Sequence, residues 1–177
     1  MAQPQNVDPV KLLVGILWAA PESLLDATRL LIQNWGAIDF TGPDHPFDIT
    51  DYYEPEMGKN LKRRLVSFYN LVPPDSIVGA KHMCNAIEDR LAGPKGRLVN
   101  LDVGYLDHNK IVLASFKGAG QKIYVKEGVW ADLVARYRAG RYMPFEWTLP
   151  DFSDGRFDPE LLQIRRAYLF QRKTANL

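Results

Sequence analysis

Residues 10–36 read VKLLVGILWAAPESLLDATRLLIQNWG, and they decide the fold. Val10 to Trp18 is an apolar run ended by Ala19, Ala20 and Pro21. A run this short, with proline close behind it, reads as a buried strand rather than a helix. Pro21 suits the first helical position, where its missing N–H has no partner to lose. Leu24, Leu25, Thr28, Leu31, Ile32 and Trp35 then recur at helical spacing, and Gly36 supplies a stop. The stretch predicts a strand followed by an amphipathic helix.

The same unit recurs downstream. Residues 37–53 read as extended chain broken by a Gly42-Pro43 turn, and residues 54–60 as a polar loop. Residues 62–71, KRRLVSFYNL, alternate as a strand does. Pro73-Pro74-Asp75-Ser76 opens a second helix with an inner stripe of Ile77, Ala80, Cys84, Ile87 and Leu91, and Gly93-Pro94 ends it. Residues 97–103, RLVNLDV, alternate strictly. Strand, helix, strand, strand, helix, strand is the order of a split βαβ, ferredoxin-like core over residues 10–103. Both helices would cover one face of an antiparallel sheet, giving an α+β fold. Turns at Asp107-His108-Asn109, Glu127-Gly128 and Ala139-Gly140 divide residues 110–145 into a β-meander extending that sheet. Asp158-Pro159 starts a last helix, 158–173, with Leu161, Leu162, Arg165, Tyr168 and Leu169 in register. Residues 1–177 are expected as one domain with a flexible stretch at 1–9.

Composition narrows the function classes. The chain has 177 residues, 46% hydrophobic and 24% charged, which is ordinary for a globular domain. A formal net charge of +1 argues against a strongly basic nucleic-acid footprint. Cys84 is the single cysteine, so no intrachain disulfide forms, which fits a reducing, cytoplasmic setting. Met1 to Asp8 lacks the pattern of a secretory signal, and the longest apolar stretch, Leu12 to Ala20, is too short to cross a bilayer. No phosphate-loop or dinucleotide fingerprint occurs, and His45, His82 and His108 lie in no paired metal spacing.

Four stretches carry candidate chemistry. Asp48, Asp51, Glu54 and Glu56 crowd one segment with Tyr52. Adjacent carboxylates resist shared ionisation unless a cation or base relieves them. They therefore suit acid–base work (Asp48, Asp51, Glu54) or a divalent cation such as magnesium (Asp51, Glu54, Glu56). A solvated acidic loop is the alternative. Lys62, Arg63 and Arg64 enter a strand, so Lys62 and Arg64 share one face and Arg63 takes the other. Lys62 and Arg64 would clamp an anion, or pair with the acidic loop. In residues 97–105, Asn100 and Asp102 share a face with Leu98. In a central strand they would be costly polar groups needing partners, hence candidate catalytic (Asp102) and ligand-binding (Asn100, Tyr105) residues. On an edge strand they would simply be wet. Gly104 beside them permits a turn or a close approach to the backbone. Lys110 and Lys117 bracket a strand, and Lys117-Gly118-Ala119-Gly120 is a glycine-rich turn beside a base. Cys84, on the inner stripe, reads as an inert buried thiol.

The combination of FDITDYYEPEMG, LKRRLVSF, VNLDVGYL, KIVLASFK and RYRAGRYMPFEWTLPDF resembles an uncharacterised bacterial family, a domain of unknown function whose members are single-domain proteins of about this length. The resemblance runs from Lys11 to Tyr168. Some members carry the label "GTP-binding protein" by automatic transfer. This chain has neither a phosphate loop nor an N/T-K-x-D base-reading segment, and the resemblance implies no catalytic role. Two hypotheses follow from the residues. The first is a ligand-binding protein or enzyme acting on an anionic, phosphorylated or nucleotide-like molecule, held by Tyr52, Lys62, Arg64, Asn100, Tyr105, Lys110 and Lys117. The second is a non-catalytic domain that binds a protein partner through its sheet face and the WTLPDF connector.

Overall fold

A computed structural model describes residues 1–175 of the chain. Strand β1 (Val10–Trp18) lies buried along its whole length. It takes partners on both edges: β4 (Lys62–Val72) on one and β5 (Val99–Leu106) on the other, each antiparallel. That two-sided burial is why its sequence is a continuous apolar run rather than an alternating one. Among the described residues the sheet has nine strands, with path β2-β4-β1-β5-β6-β8-β7. Here β2 is Ile38–Thr41, β6 Lys110–Ser115, β7 Ile123–Lys126 and β8 Val129–Arg138. The short β3 (His45–Pro46) pairs with β4, and β9 (Arg141–Pro144) pairs with β8. All pairings are antiparallel. The protein is α+β.

Helices α1 (Pro21–Trp35) and α3 (Ile77–Leu91) connect β1 to β2 and β4 to β5. Both pack on one face of the sheet, against Leu12, Val14, Ile16, Trp18, Val99, Leu101 and Val103. The α1 stripe is rotated from the one read in the sequence. Leu24, Ala27, Leu30 and Leu31 are buried, whereas Leu25 and Ile32 are exposed. Two adjacent rows satisfy the 3.6-residue period, and the row containing the small Ala27 is the one that approaches its neighbours closely. Burying each such leucine contributes about 1.5–3 kcal/mol before entropy is counted.

The opposite face is covered by α5 (Asp158–Thr174), through Leu161, Ile164 and Tyr168, with Phe152 from the one-turn α4 (Pro150–Ser153) and Phe157 from the turn between them. Lys11 is fully buried on β1 yet saturated: its Nζ donates to Asp39 Oδ2 (2.5 Å), Gln171 Oε1 (2.7 Å) and the Phe68 carbonyl (3.0 Å). An ammonium with three acceptors is tolerable in a core, and here it ties α5 to the central strands. A third apolar cluster, Leu17, Phe47, Met57 and Leu61, lies beneath the segment read as a plain loop. That segment instead holds a one-turn helix, α2 (Glu54–Met57), because Met57 must reach the cluster. No helix among the described residues is long and apolar enough to cross a membrane.

Candidate functional site

The sheet does not close evenly. Strands β5 and β6 pair only where Gly104, Tyr105 and Leu106 meet Leu113, Val112 and Ile111. Upstream of Gly104, β5 keeps β1 as its partner but, among the described residues, has no strand on its other edge. Ala114 and Ser115 of β6 stay with β8. The strands therefore part like the arms of a Y, and a cleft of about 340 Å³ opens between them. Gly104 is the crotch. A Cβ there would stand 2.2 Å from the Val112 carbonyl oxygen, so the close approach is to β6 backbone rather than to a ligand.

Side chains of α3 replace the missing strand. The Leu101 N–H donates to Glu88 Oε1 (2.5 Å), and Lys81 Nζ faces the Leu101 carbonyl at 3.5 Å. Glu88 is buried, and that burial pushes its carboxyl above the ordinary range. Cys84, between the two on the same helix, is also buried, and its thiol is pushed up by burial, as an inert thiol would be.

On the other wall a chain of charges runs along the β5 edge. Arg97 donates through Nε to Glu56 Oε1 (3.1 Å), through Nη2 to the same carboxylate, and through Nη1 to Asn100 Oδ1 (2.8 Å). Asn100 Nδ2 donates to Asp102 Oδ2 (3.0 Å). The same oxygen accepts from Arg63 Nη2 (2.7 Å), and Arg63 Nη1 donates to the fully buried Asp151. Arg63 also lies over the Phe47 ring, 4.8 Å from its centroid. Alternating charge along this row lets two guanidinium groups leave water without remaining unpaired. Tyr53 stands against the row, with its hydroxyl pushed up to about 12, chiefly by burial and then by the Asp102 charge, so it stays protonated.

Three lysines close the cleft around the end of β6. Lys122 Nζ donates to Ser115 Oγ (3.1 Å) and lies 3.7 Å from Asp132. Lys81 Nζ sits over the Phe116 ring (5.5 Å), and Lys117 Nζ over the Tyr52 ring (5.4 Å). Among the described residues, neither Lys81 nor Lys117 has a carboxylate within ion-pair distance. The glycine turn after Lys117 serves packing: a Cβ on Gly118 would fall 2.2 Å from the Trp130 ring.

Of the residues singled out in the sequence, Tyr52, Asn100, Asp102 and Lys117 line this cleft, and Glu56 reaches it through Arg97. The others lie elsewhere. Asp48 pairs with Arg156 (3.0 Å), Asp51 is exposed, and Glu54 opens α2. The carboxylates of Asp51, Glu54 and Glu56 form no joint donor set. Among the described residues no three His, Cys, Asp or Glu side chains gather to hold a metal ion. The physical reason is that Arg97 already neutralises Glu56 while water solvates Asp51. Arg64 forms a two-pronged pair with Asp44 (2.7 and 2.9 Å), and Lys62 lies over the Trp18 ring (5.3 Å). It is the middle base, Arg63, that reaches the site. Tyr105 and Lys110 border a separate hollow of about 260 Å³, where Lys110 pairs with Asp107.

Lys81, Glu88, Arg97, Lys122 and Asp132 also line the cleft, and none of them is among the candidates legible in the sequence. One signal was present: Lys81 and Glu88 are seven residues apart and flank Cys84 on the inward stripe of α3, where charges are costly.

Fold and site together define an α+β protein with a charged cleft in a split antiparallel sheet. The chain belongs to the family described as Domain of unknown function (DUF4416), whose model matches residues 8–168. Comparison with curated proteins and with solved structures gave no match.

Proposed function

We propose that the protein binds a small anionic molecule in the β5–β6 cleft, as a ligand-binding protein or as an enzyme acting on that molecule. The observation that carries this reading is the set of lysines at one end of the cleft, two of them without a carboxylate partner. Clustered ammonium groups raise one another's energy, and an arriving anion relieves that cost. The cleft volume lies at the lower end of the small-molecule range. Asn100 and Asp102 would orient the ligand, and phosphorylated or nucleotide-like compounds fall within its class. The strand order β2-β4-β1-β5, with α1 and α3 on one face, supports reading the core as ferredoxin-like. One buried thiol fits a cytoplasmic setting.

Thermal melting with a panel of anions tests the reading, because a ligand that binds only the folded state raises Tm. At least one anion should raise Tm, the shift should shrink at high salt, and Lys81→Met and Lys117→Met should each reduce it. A wild-type protein whose Tm responds to no anion on the panel would sink the proposal.

A second reading, docking of a protein partner, draws support from β7. It is an edge strand, and Ile123, Tyr124 and Val125 on it are exposed. That reading leaves the unpaired lysines without a role.

A further inference from the structure

Resting on the anion-binding reading, we infer that the ligand is a phosphomonoester that also bears a hydroxyl or amino donor. Its phosphoryl group would sit at the Ser115–Lys117 corner and its donor on Asp102.

The first step is which cations are free. A carboxylate is gripped best by a guanidinium fork. Both arginines of the site are engaged: Arg97 on Glu56 and Asn100, Arg63 on Asp151 and Asp102. Lysines remain. An ammonium is a compact point charge with three donors, and Lys81, Lys117 and Lys122 border the corner from α3, from β6's end and from the following turn. Several point charges converging suit an anion with more than one charge and several acceptor oxygens, as a phosphoryl group has. Ser115 fixes the corner: its Oγ accepts from the Lys117 N–H (3.0 Å) and from Lys122 Nζ (3.1 Å).

The second step is polarity. Four cationic side chains line the cleft against three carboxylates, Glu88, Asp102 and Asp132. Asp132 is held by Gln121 (2.8 Å) and Glu88 by the Leu101 N–H. Asp102 differs. Its Oδ2 takes both protein donors, Arg63 and Asn100, while Oδ1 has none among the described residues. A carboxylate oxygen only accepts, so it repels the phosphoryl end and selects a donor. The β6 side of the cleft is thus an anion seat and the β5 side an acceptor.

Calorimetric titration of the full chain with acetate, methyl phosphate and glycerol 3-phosphate tests this. Glycerol 3-phosphate should bind at least about tenfold tighter than methyl phosphate, which lacks the donor, and acetate should not bind measurably. Lys117→Met, at an exposed position, should weaken both phosphates about tenfold. In Asp102→Asn, Arg63 and Asn100 will hold the amide oxygen and turn the NH₂ toward the ligand. The gap between the two phosphates should then vanish while methyl phosphate still binds. Equal affinity of the two phosphates for the wild type overturns the donor assignment, whether or not that variant folds. Acetate binding as tightly as methyl phosphate overturns the phosphoryl assignment but leaves the anion reading standing. Failure of every anion removes both.

Discussion

Gly104 stands where two strands touch before they part, and its lack of a side chain is what permits the contact. The obstacle to a larger residue is backbone, the Val112 carbonyl at 2.2 Å and Leu113 Cα at 3.0 Å, which cannot swing aside. Gly104→Ala should therefore cost about 3 kcal/mol, the upper end for overpacking, read as a fall in the urea midpoint. A midpoint unchanged from wild type would mean that the strands separate without strain. Arg63 shows a second residue-scale rule. Alternation along KRRLVSF turned it away from Lys62 and Arg64, and that much is local. Its partners are not local: Asp102 and Asp151 are 39 and 88 residues away in sequence.

At the scale of elements, α3 is both a packing helix and a wall of the cleft. Of its apolar stripe, visible as a 3.6-residue period, Ile77, Ala80, Cys84 and Ile87 are buried as expected, and Leu91 at its end is half-buried. Its contribution to the site comes from Lys81 and Glu88, which stand in for an absent strand at Leu101. Glu88→Ala should leave the Leu101 N–H without a protein partner. Its hydrogen exchange should accelerate by a factor equivalent to about 1–3 kcal/mol, while amides of Leu13 and Val14 on β1 hold their rates. Uniform acceleration across both strands would show global destabilisation instead, and no acceleration would show that Glu88 is not a cap. The split itself had no sequence signature. Residues 97–103 alternate as any half-covered strand does, and period-2 patterning is silent about whether a neighbour lies on one edge or two. Asn100 and Asp102 were legible as a conflict for that reason, but the question of edge or centre stayed open. The structure answers that β5 is an inner strand whose upstream half has a free edge.

For the whole molecule, the Glu56–Arg97 pair joins α2 to the loop before β5 and responds to pH. Hydrogen bonds from Arg97 hold the Glu56 carboxyl below its ordinary range. The unfolded chain therefore takes up this proton before the folded one does as pH falls. The pair's stabilisation is full above the ordinary glutamate pKa and is lost as pH drops through the lowered folded value. Glu56→Gln should be less stable than wild type near about pH 7, and the two should converge toward about pH 3. Urea midpoints across that span provide the check, and a constant difference would remove the pair as the cause.

Local patterning along the chain sets the order and type of the main elements, marks β1 as a buried strand, and singles out Asn100 and Asp102. These rest on periodicity, proline and glycine positions and the cost of burying polar groups, all of which act over a few residues. Which charges meet follows from the three-dimensional packing alone. Arg63 finds Asp151, Arg97 finds Glu56, and Lys81 and Lys117 come to line one cleft between strands, because each placement depends on strand order and on where pairing stops. Coulombic and hydrogen-bond contacts fall off over a few ångströms, and separation along the chain says nothing about that distance.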